Sequence, residues 1–413
     1  MPTHFKSNRT LQAITAAFMA AAVMASAQTP APASAPAAAQ APADPAPAAT
    51  PLSTFVLTGP LQWQPPATFD AGPLGKLSVN GIITGFSQFQ NNSVTGDDKA
   101  QATLTNGEIF IQKADGKLQY YVQAGVYTMP TLGVPFVNAQ DTNTNFFGPV
   151  PVAFLKLQAG KTTQFEIGQL PTLMGAESTF TYQNFNIERG IVWNQENAIN
   201  RGIQVNQTLG KLLSASLSWN DGYYSNRYSW LSGSLTLTKG PHTLVYDGMG
   251  NLGQTVFETA ATPIQNNGYM HAVIYTYTKG PWIVSPYFQY GKVPTNPSVG
   301  VLKGASATGG AFNASYAFKH GFSLPARVEY LTSSGSATDG SVNLLGFGAG
   351  SSGTTFTATP TYQKGGLYLR GDLAWVHATD YTAGNVFGAM GTAANQFRGV
   401  LEFGFIFGNN IEK

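Results

Sequence analysis

The chain is 413 residues long, and its composition excludes several classes of protein. Charged residues make up only 10%, there are 46 Gly and no Cys, and the mean hydropathy is -0.06. The lack of cysteine excludes disulfides, thiolate metal sites and a lipidated N-terminal cysteine. Few charges and near-neutral hydropathy are typical of a wall that meets lipid on one side and water on the other.

The first residues predict a secretory signal peptide over residues 1–27. Lys6 and Arg9 precede an apolar run from 11 to 23, and an A-x-A cleavage site follows at 25–27. An N-terminal membrane anchor is the alternative, although a span needs about 20 apolar residues. Cleavage takes the basic residues from 22 to 20, equal to the 20 acidic ones, for a net charge of zero. Proteins that bind nucleic acids usually carry an excess of positive charge on one face, and this chain has no such excess, so no nucleic-acid partner is expected.

Residues 28–76 predict an Ala/Pro-rich linker. The stretch from 28 to 51 is almost wholly Ala and Pro, a composition that cannot bury a core and favours an extended or disordered spacer. Residues 52–76 show no clean periodicity, and Trp63 and Phe69 are candidate anchors within them. No later segment is apolar enough for a transmembrane helix, so a membrane span must consist of strands.

From residue 77 onward the chain divides into segments of about ten residues that alternate between apolar and polar positions, which is the length of a tilted membrane strand. The sixteen predicted strands are 77–90, 104–114, 117–127, 150–159, 162–170, 201–209, 212–220, 229–238, 242–250, 268–278, 281–290, 307–319, 322–332, 353–363, 366–377 and 395–407. This pattern predicts an all-β fold, with residues 77–413 forming a transmembrane antiparallel β-barrel of about 16 strands.

The connections between these strands alternate strictly between short and long. Seven are short and carry a Gly, as in Lys239-Gly240-Pro241 and Lys279-Gly280-Pro281, and eight are long. Outer-membrane barrels have short periplasmic turns and long external loops. The alternation therefore predicts that both chain ends and the linker lie on the periplasmic side.

Individual strands show two unlike faces. Leu213, Leu217 and Trp219 alternate with serines and Asn220. A soluble barrel would turn such apolar faces inward, but sixteen strands enclose more space than wall side chains can fill. The apolar faces are therefore expected to meet lipid.

The longest connection, residues 171–200, carries the charges of a candidate constriction. Its four charged residues are Glu177, Glu188, Arg189 and Glu196. Long ordered loops in compact domains tend to be functional, so we expect this loop to fold inward and narrow the lumen. The alternative is an external loop folded over the rim.

Strand alternation places further charges on the inner face of the late strands. These residues are Arg327, Glu329, Arg370, Asp372, Arg398 and Glu402. Two interpretations are open. Acids on the loop and arginines on the facing wall would focus a field across a narrow passage and orient dipolar solutes, or each Arg would pair with its own neighbouring acid.

The chain resembles the OmpL-like β-barrel porins of Gram-negative outer membranes over residues 77–407. The resemblance rests on Ile167-Gly168-Gln169-Leu170-Pro171-Thr172, Glu188-Arg189-Gly190 and Asn200-Arg201-Gly202-Ile203. One departure is the C-terminus, where Phe407 is followed by residues 408–413 and the chain does not end on an aromatic residue. The resemblance implies a porin of the cell outer membrane that passes small hydrophilic solutes by diffusion. It also implies contact with outer-membrane lipid, the barrel-assembly machinery and a homotrimer.

Signals for an enzyme are poor, and neither a cofactor nor a metal is expected. Gly348, Gly350 and Gly353 match G-x-G-x-x-G, but they sit in a Gly/Ser loop without a βαβ unit. The four His residues after the signal peptide are not in metal-ligand spacing, and there is no G-x-S-x-G motif. Two alternatives to a channel stay open: a barrel enzyme such as a lipid hydrolase, and a plugged structural or docking barrel.

Overall fold

A computed structural model describes residues 59–255 and 264–409. The predicted signal peptide, and the predicted linker as far as residue 58, lie outside the described residues. The wall of the barrel begins with β2 (Lys76–Gln90), β3 (Ala100–Lys113), β4 (Leu118–Tyr127), β5 (Val152–Gln158), β6 (Thr163–Pro171), β7 (Ile199–Thr208), β8 (Leu213–Asn220) and β9 (Trp230–Lys239). It continues with β10 (His242–Asn251), β11 (Tyr269–Lys279), β12 (Trp282–Val293), β13 (Ala305–Ala317), β14 (Phe322–Ser333), β15 (Ser352–Ala358), β16 (Thr361–Lys364), β17 (Leu367–Thr379) and β18 (Asn395–Phe407).

These strands form one closed antiparallel sheet. Each wall strand pairs with the next along the chain, except that β15 and β16 both pair with β14 and β17. The ring closes where β18 pairs with β2 through contacts such as Ile406 with Ile82. Closure leaves no free sheet edge, which a strand structure in lipid requires. The predicted antiparallel barrel of about 16 strands is confirmed, because β15 and β16 together fill one position in the wall.

The sequence predicts a single strand over residues 353–363, but the structure has two shorter strands there, β15 and β16. β14 and β17 both pair with β15 and with β16, and Thr359 and Pro360 lie between the two pieces. Pro360 has no N–H to donate to the ladder, which gives a physical reason for the interruption. The prediction of one unbroken strand here was therefore wrong.

Two further elements lie outside the predicted strands. β1 (Ala67–Asp70) pairs with the first residues of β2, so part of the segment 52–76 is a short strand. The connection after β4 contains a short helix, α1 (Ala139–Asn145). The side chain of Asn138 caps this helix by accepting a hydrogen bond of 3.0 Å from the backbone N–H of Asp141. Among the helices of residues 59–255 and 264–409, none is long and apolar enough to cross a membrane.

The two ends of the barrel differ in the length of the connections between strands. Gly240, Gly280 and Gly365 each have φ of +59°, a conformation that glycine adopts without steric cost, and each lies in a connection of two residues. The seven short connections gather at one end and the eight long ones at the other, as the strand order requires. The two ends are called here the short-turn end and the long-loop end.

The two faces of the wall differ as the alternation predicts. In β14, Phe322, Leu324 and Val328 are exposed on the outside, whereas Arg327 and Glu329 are buried. The same holds in β18, where the exposed and buried residues alternate over most of its length. The outside of the barrel is therefore apolar and suited to lipid.

The interior holds a hydrophobic core to which both the wall strands and the long connections contribute. Leu132, Ile191, Phe347 and Phe387 come from four different connections, and all are buried in one cluster. A wall of sixteen strands cannot fill its interior with its own side chains. The long connections fill much of that space, and one of them, residues 171–200, carries four buried charged residues.

Candidate constriction site

The connection between β6 and β7 lies within the barrel. Of residues 171–200, 26 are buried and the other four are half-buried. The base of this loop is closed by two hydrogen bonds: Thr172 N donates to Ala198 O at 3.1 Å, and the Thr172 hydroxyl donates to Asn197 Oδ1 at 2.5 Å. The strands that carry the loop thus hold its two ends together at the wall.

Local hydrogen bonds and ring contacts shape the middle of the loop. Asn184 Oδ1 accepts from the Ser178 backbone N–H at 2.7 Å, and Asn184 Nδ2 donates to Ser178 O at 2.8 Å. The rings of Phe180 and Tyr182 stack with their centroids 5.8 Å apart. Side-chain amides that satisfy backbone groups are a common way to hold a segment without regular secondary structure.

Three wall arginines donate to the loop. Arg327 donates to Glu188 O at 3.0 Å and forms an ion pair with Glu177. Arg370 donates to Asn184 O at 3.1 Å and Thr181 O at 3.0 Å.

The third arginine, Arg398, joins two connections to the wall. It forms an ion pair of 2.7 Å with Glu188 and donates to Thr131 O and Val134 O, each at 2.9 Å. Arginine presents five N–H donors in a fixed fork, so one side chain can hold several acceptors at once.

Wall carboxylates accept the backbone N–H groups of the same loop. Glu329 accepts from Ile191 N and Val192 N at 3.2 Å each, and Asp372 accepts from Glu188 N at 2.8 Å. Buried backbone donors need such partners, because an unpaired buried donor costs about 1–3 kcal/mol. The inner faces of β14 and β17 therefore act as an ordered docking surface for the loop.

Glu402 of β18 completes this surface. It pairs with Arg370 at 2.6 Å and accepts from the Thr181 hydroxyl at 2.9 Å. Arg370 thus bonds both to a neighbouring wall acid and to the loop. Arg370 pairs with an acid on the next strand, as one of the two interpretations from the sequence expects, and Arg398 pairs with an acid on the loop. A field focused across a passage stays a prediction.

The loop's own charged residues differ in their surroundings. Arg189 donates to Pro130 O at 3.1 Å and lies 4.6 Å from the ring centroid of Trp193. Burial lowers the pKa of Arg189 to about 9, and the Glu177 carboxylate acts in the opposite direction. The guanidinium therefore stays charged at neutral pH.

Glu196 differs from the other nine predicted site residues. Neither of its carboxyl oxygens accepts a hydrogen bond from the described part of the chain, although the residue is only 5% exposed. Burial raises the pKa of the Glu196 carboxyl well above its usual range, and the carboxylates of Glu177, Asp247 and Glu329 act in the same direction.

All ten predicted site residues are buried inside the barrel. The structure joins eight of them in ion pairs and hydrogen bonds between the loop and the wall. Arg189 bonds instead to the connection after β4, and Glu196 stands apart. The contacts between loop and wall are direct, so the charges face each other without an intervening gap at these points.

Several participants were missed from the sequence. Asn106 donates to the Thr181 hydroxyl at 2.8 Å, and Glu108, also on β3, accepts from Gln123 at 2.6 Å. Both are buried on the inner face with Phe110. The alternation of apolar and polar residues along β3 could have identified them, because the same alternation identified the inner residues of β14.

The described residues contain no group of three or more His, Cys, Asp or Glu side chains arranged to hold a metal ion. The candidate site consists of ion pairs and hydrogen bonds between a loop and a wall. Chemistry of this kind positions a segment and sets the electrostatic field of the interior.

Comparisons with solved structures show the same fold in other bacterial proteins. An anion-selective porin from Comamonas acidovorans matches with a TM-score of 0.57 and 12% identity, covering 80% of this chain and 99% of that one. The outer-membrane channel DcaP of Acinetobacter baumannii matches with a TM-score of 0.56 and 12% identity, covering 83% of this chain and all of that one. OmpT of Vibrio cholerae, in a trimer form, matches with a TM-score of 0.51 and 12% identity, covering 80% of this chain and 99% of that one.

A search of curated proteins finds no match. A family model described as "Putative beta-barrel porin-2, OmpL-like" matches residues 76–407, which is the whole wall of the barrel. The chain belongs to this OmpL-like family of β-barrel porins, proteins of the Gram-negative outer membrane.

Proposed function

We propose that this porin is a passive diffusion channel for small hydrophilic solutes, with residues 171–200 as its constriction. The observation that carries the proposal is the path of the loop. It starts from β6 and ends in β7, and it is bonded to Arg327 and Glu329 of β14, which lies eight wall positions from β6. In a ring of sixteen positions that is the opposite side, so the loop crosses the lumen.

The inner wall beside the loop supports a hydrophilic solute. From β8 to β12 the small polar side chains Ser218, Ser232, Thr276 and Ser285 lie on the inner face, together with apolar ones such as Met249 and Ile274. Polar inner faces are typical of water-filled porins. At these hydroxyl groups a polar solute can replace hydrogen bonds to water with hydrogen bonds to the wall, which lowers the cost of removing it from water.

The partners follow from the two faces of the wall. The exposed apolar side chains of β14 and β18 are expected to contact outer-membrane lipid, and insertion is expected to need the barrel-assembly machinery. A homotrimer is part of the proposal, since one structural neighbour forms a trimer. Chemical cross-linking of the protein in native outer membranes tests it, and a single protomer band at every cross-linker concentration would argue for a monomer.

A plugged structural barrel is the second candidate. Complete burial of Arg327, Arg370 and Glu402 favours it, because these groups pair with one another and with the loop instead of facing water. The two candidates differ in one property, which is passage of solute.

Liposome swelling separates them. Full-length protein reconstituted into liposomes should admit small sugars, and the swelling rate should fall steeply as sugar size increases, because the loop narrows the passage. Empty liposomes and liposomes with heat-denatured protein are the controls. If swelling with the smallest sugar stays at the level of empty liposomes, the plugged barrel is correct.

A further inference from the structure

A groove of about 680 Å³ lies on the outer face of the wall, near the long-loop end. It extends over β15, β17, β18 and β2, and the first residue of β3 closes one side. Its volume falls within the 300–1,000 Å³ of typical ligand sites. The constriction inside the barrel does not account for this feature, because the groove opens on the opposite face of the sheet.

Two adjacent rows of cross-strand partners build the groove. The first row, taken from β17 to β3, consists of Leu373, Gly399, Phe89 and Ala100. The second row lies nearer the long-loop end and consists of Phe356, Trp375 and Phe397. Side chains of directly opposite residues are neighbours on one face of a sheet. The first row alternates large residues with Gly and Ala, and the second is wholly aromatic, so the surface between them is concave.

The floor of the groove is open at Gly399. Apart from its chain neighbours, a Cβ at this residue would meet no heavy atom within 4 Å. Around it, Phe89, Leu373 and Phe397 are 55–65% exposed, so the described chain leaves most of their surface uncovered. Trp375 is held in place, because its Nε1 donates to Asn395 Oδ1 at 3.2 Å. The groove is therefore an apolar depression that exists before any ligand enters it.

A positive charge lies at the rim of the groove. Lys99, the residue before β3, borders the groove and is exposed, and its ammonium group has no partner among residues 59–255 and 264–409. The backbone carbonyl of Lys99 accepts from Gln90 N at 2.8 Å, which holds this residue beside β2. Asn91 also borders the groove, and its Oδ1 accepts from Phe397 N at 2.8 Å. The amide Nδ2 of Asn91 remains available as a second donor.

Other charges near the rim are not presented to the groove. Arg398 borders it, but the guanidinium pairs with Glu188 inside the barrel. Asp97 lies on the same inner side, 4.0 Å from Arg398. Asp98 is exposed, yet neither of the two acids borders the groove. Lys99 is therefore the charged group that a ligand in the groove would meet, and its sign favours an anion.

The place of Lys99 on the wall indicates which anion this is. The residue lies where a membrane strand ends and a long loop begins, which is the level of lipid headgroups, and the apolar groove below it lies at the level of acyl chains. Basic side chains at this level attract anionic lipids. A stable contact with a second copy of the chain takes about 20–30 residues a side, whereas only twelve residues border the groove. A lipid fits the groove better than a second copy does.

We propose that this groove binds one acyl chain of a membrane lipid whose net-anionic, phosphate-bearing headgroup pairs with Lys99. The acyl chain would lie over Gly399 between Phe89 and Leu373, and Asn91 would donate a second hydrogen bond to the headgroup. The inference rests on the expected contact of the outer wall with lipid, and it does not depend on whether solute passes through the barrel.

The test uses two lipids with the same brominated acyl chains: phosphatidylglycerol, which is anionic, and phosphatidylcholine, which has no net charge. Bromine quenches tryptophan fluorescence only at close range, so the quenching that is lost in Trp375→Phe belongs to the groove. The full chain in detergent is titrated with each lipid. Half-saturation should need about fivefold less phosphatidylglycerol, which is the usual effect of one basic side chain at a lipid surface. Equal half-saturation would mean ordinary lipid contact and would overturn the proposal.

Two pairs of variants assign the effect to residues. Lys99→Gln should remove the preference for phosphatidylglycerol, whereas Lys292→Gln, at an exposed lysine of β12 that also lies at the long-loop end but outside the groove, should keep it. Gly399→Leu should fill the floor of the groove and weaken both lipids at Trp375. Its control is Gly248→Leu on the far side of the barrel, eight wall positions from β2, where a Cβ stays 3.4 Å from its nearest neighbour. An undiminished preference in Lys99→Gln, or unchanged quenching in Gly399→Leu, would contradict the assignment.

Two other tryptophans separate this inference from general lipid contact. Trp219 and Trp282 lie on the outer face away from the groove and are 53% and 49% exposed, so both lipids should quench them alike in Trp375→Phe. If they are quenched and Trp375 is quenched by neither lipid, another occupant such as a second copy covers the groove, and the groove proposal alone is wrong. If neither lipid quenches Trp219 or Trp282, the expected contact of the outer wall with lipid is wrong as well.

Discussion

Arg398 shows at a single side chain how the loop and the wall depend on each other. It bonds to Gln90 of β2 at 2.9 Å, to Glu188 of the loop at 2.7 Å and to Thr131 of a second connection at 2.9 Å. The residue is only 3% exposed. Removing one partner of a buried ion pair leaves the other charge buried without a partner. Such a substitution therefore destabilises the protein even where the intact pair adds little to the free energy of unfolding.

A double-mutant cycle on Arg398→Gln and Glu188→Gln should therefore show a coupling free energy of about 1–3 kcal/mol, because the two groups contact each other in a buried setting. The free energy of unfolding in urea and detergent is the quantity to measure. The exposed pair Lys303 and Asp339 is the control and should show no resolvable coupling. Additive effects of the two buried substitutions would mean that the pair does not hold the loop.

Gly190 is the point of closest approach between the loop and Glu329. A Cβ at residue 190 would lie 1.8 Å from Glu329 Oε1, so Gly190→Ala must displace either the loop or the carboxylate. We expect looser docking, a higher single-channel conductance and lower stability. Gly160→Ala is a matched control, because a Cβ there meets nothing within 4 Å and its φ is not positive. If the two variants have the same conductance, the contact at Gly190 does not govern the passage.

At the scale of elements, the segment before β1 interacts with the loop from the short-turn end. Gly59 N donates to Gln183 O at 2.8 Å, and Trp63 makes edge contacts with Phe110 and Tyr182 at centroid distances of 5.2 and 5.5 Å. The suggestion from the sequence that Trp63 anchors this segment agrees with these contacts. Aromatic pairs of this kind contribute about 0.5–1.5 kcal/mol beyond the area they bury.

Trp63→Ala should detach residues 59–66 from the loop 171–200 and raise the single-channel conductance. The increase should be smaller than that caused by deleting the loop, because the contacts between the loop and the wall remain. Trp282→Ala offers a control with a tryptophan of similar exposure, 49% against 40%, at the start of a wall strand. Planar-bilayer recordings of both variants are the measurement. A larger change for Trp282→Ala than for Trp63→Ala would show that residues 59–66 do not limit the passage.

The wall could be predicted from the sequence because period-2 alternation and glycine turns are local signals. Arg327 and Glu329 were assigned to the inner face from their apolar neighbours alone, and both are buried there. The break at Pro360 was missed because a single proline interrupts a ladder without disturbing the alternation around it.

The partners of the loop could not be predicted in the same way. Arg370 and Asn184 meet although 186 residues separate them, and no local pattern encodes that distance. A cavity beside Glu196 could not be predicted either. It is lined by the connection after β4, the loop 171–200 and the connection after β8, and it exists only when all three are folded. The sequence of a loop has no repeating period from which its partners could be predicted, so these contacts become known only from the folded structure.

At the scale of the whole molecule, the orientation of the barrel can be tested in intact cells. The absence of native cysteine allows single-cysteine labelling without a background. Thr338 is exposed at the long-loop end, and Lys239 is exposed at the short-turn end. A cysteine at Thr338 should react with a membrane-impermeant maleimide, and a cysteine at Lys239 should react only after the cells are opened. The reverse pattern would place the long loops in the periplasm.

Single-channel conductance in planar bilayers tests the central claim most directly. The full chain should give small, discrete conductance steps, because loop 171–200 crosses an otherwise wide barrel. Replacing residues 180–194 with a short Gly/Ser linker should raise the step size several-fold, provided that the variant still shows the heat-modifiable mobility of a folded barrel. A folded variant whose step size equals that of the unmodified chain, or an unmodified chain that never conducts, would contradict a diffusion channel constricted by this loop.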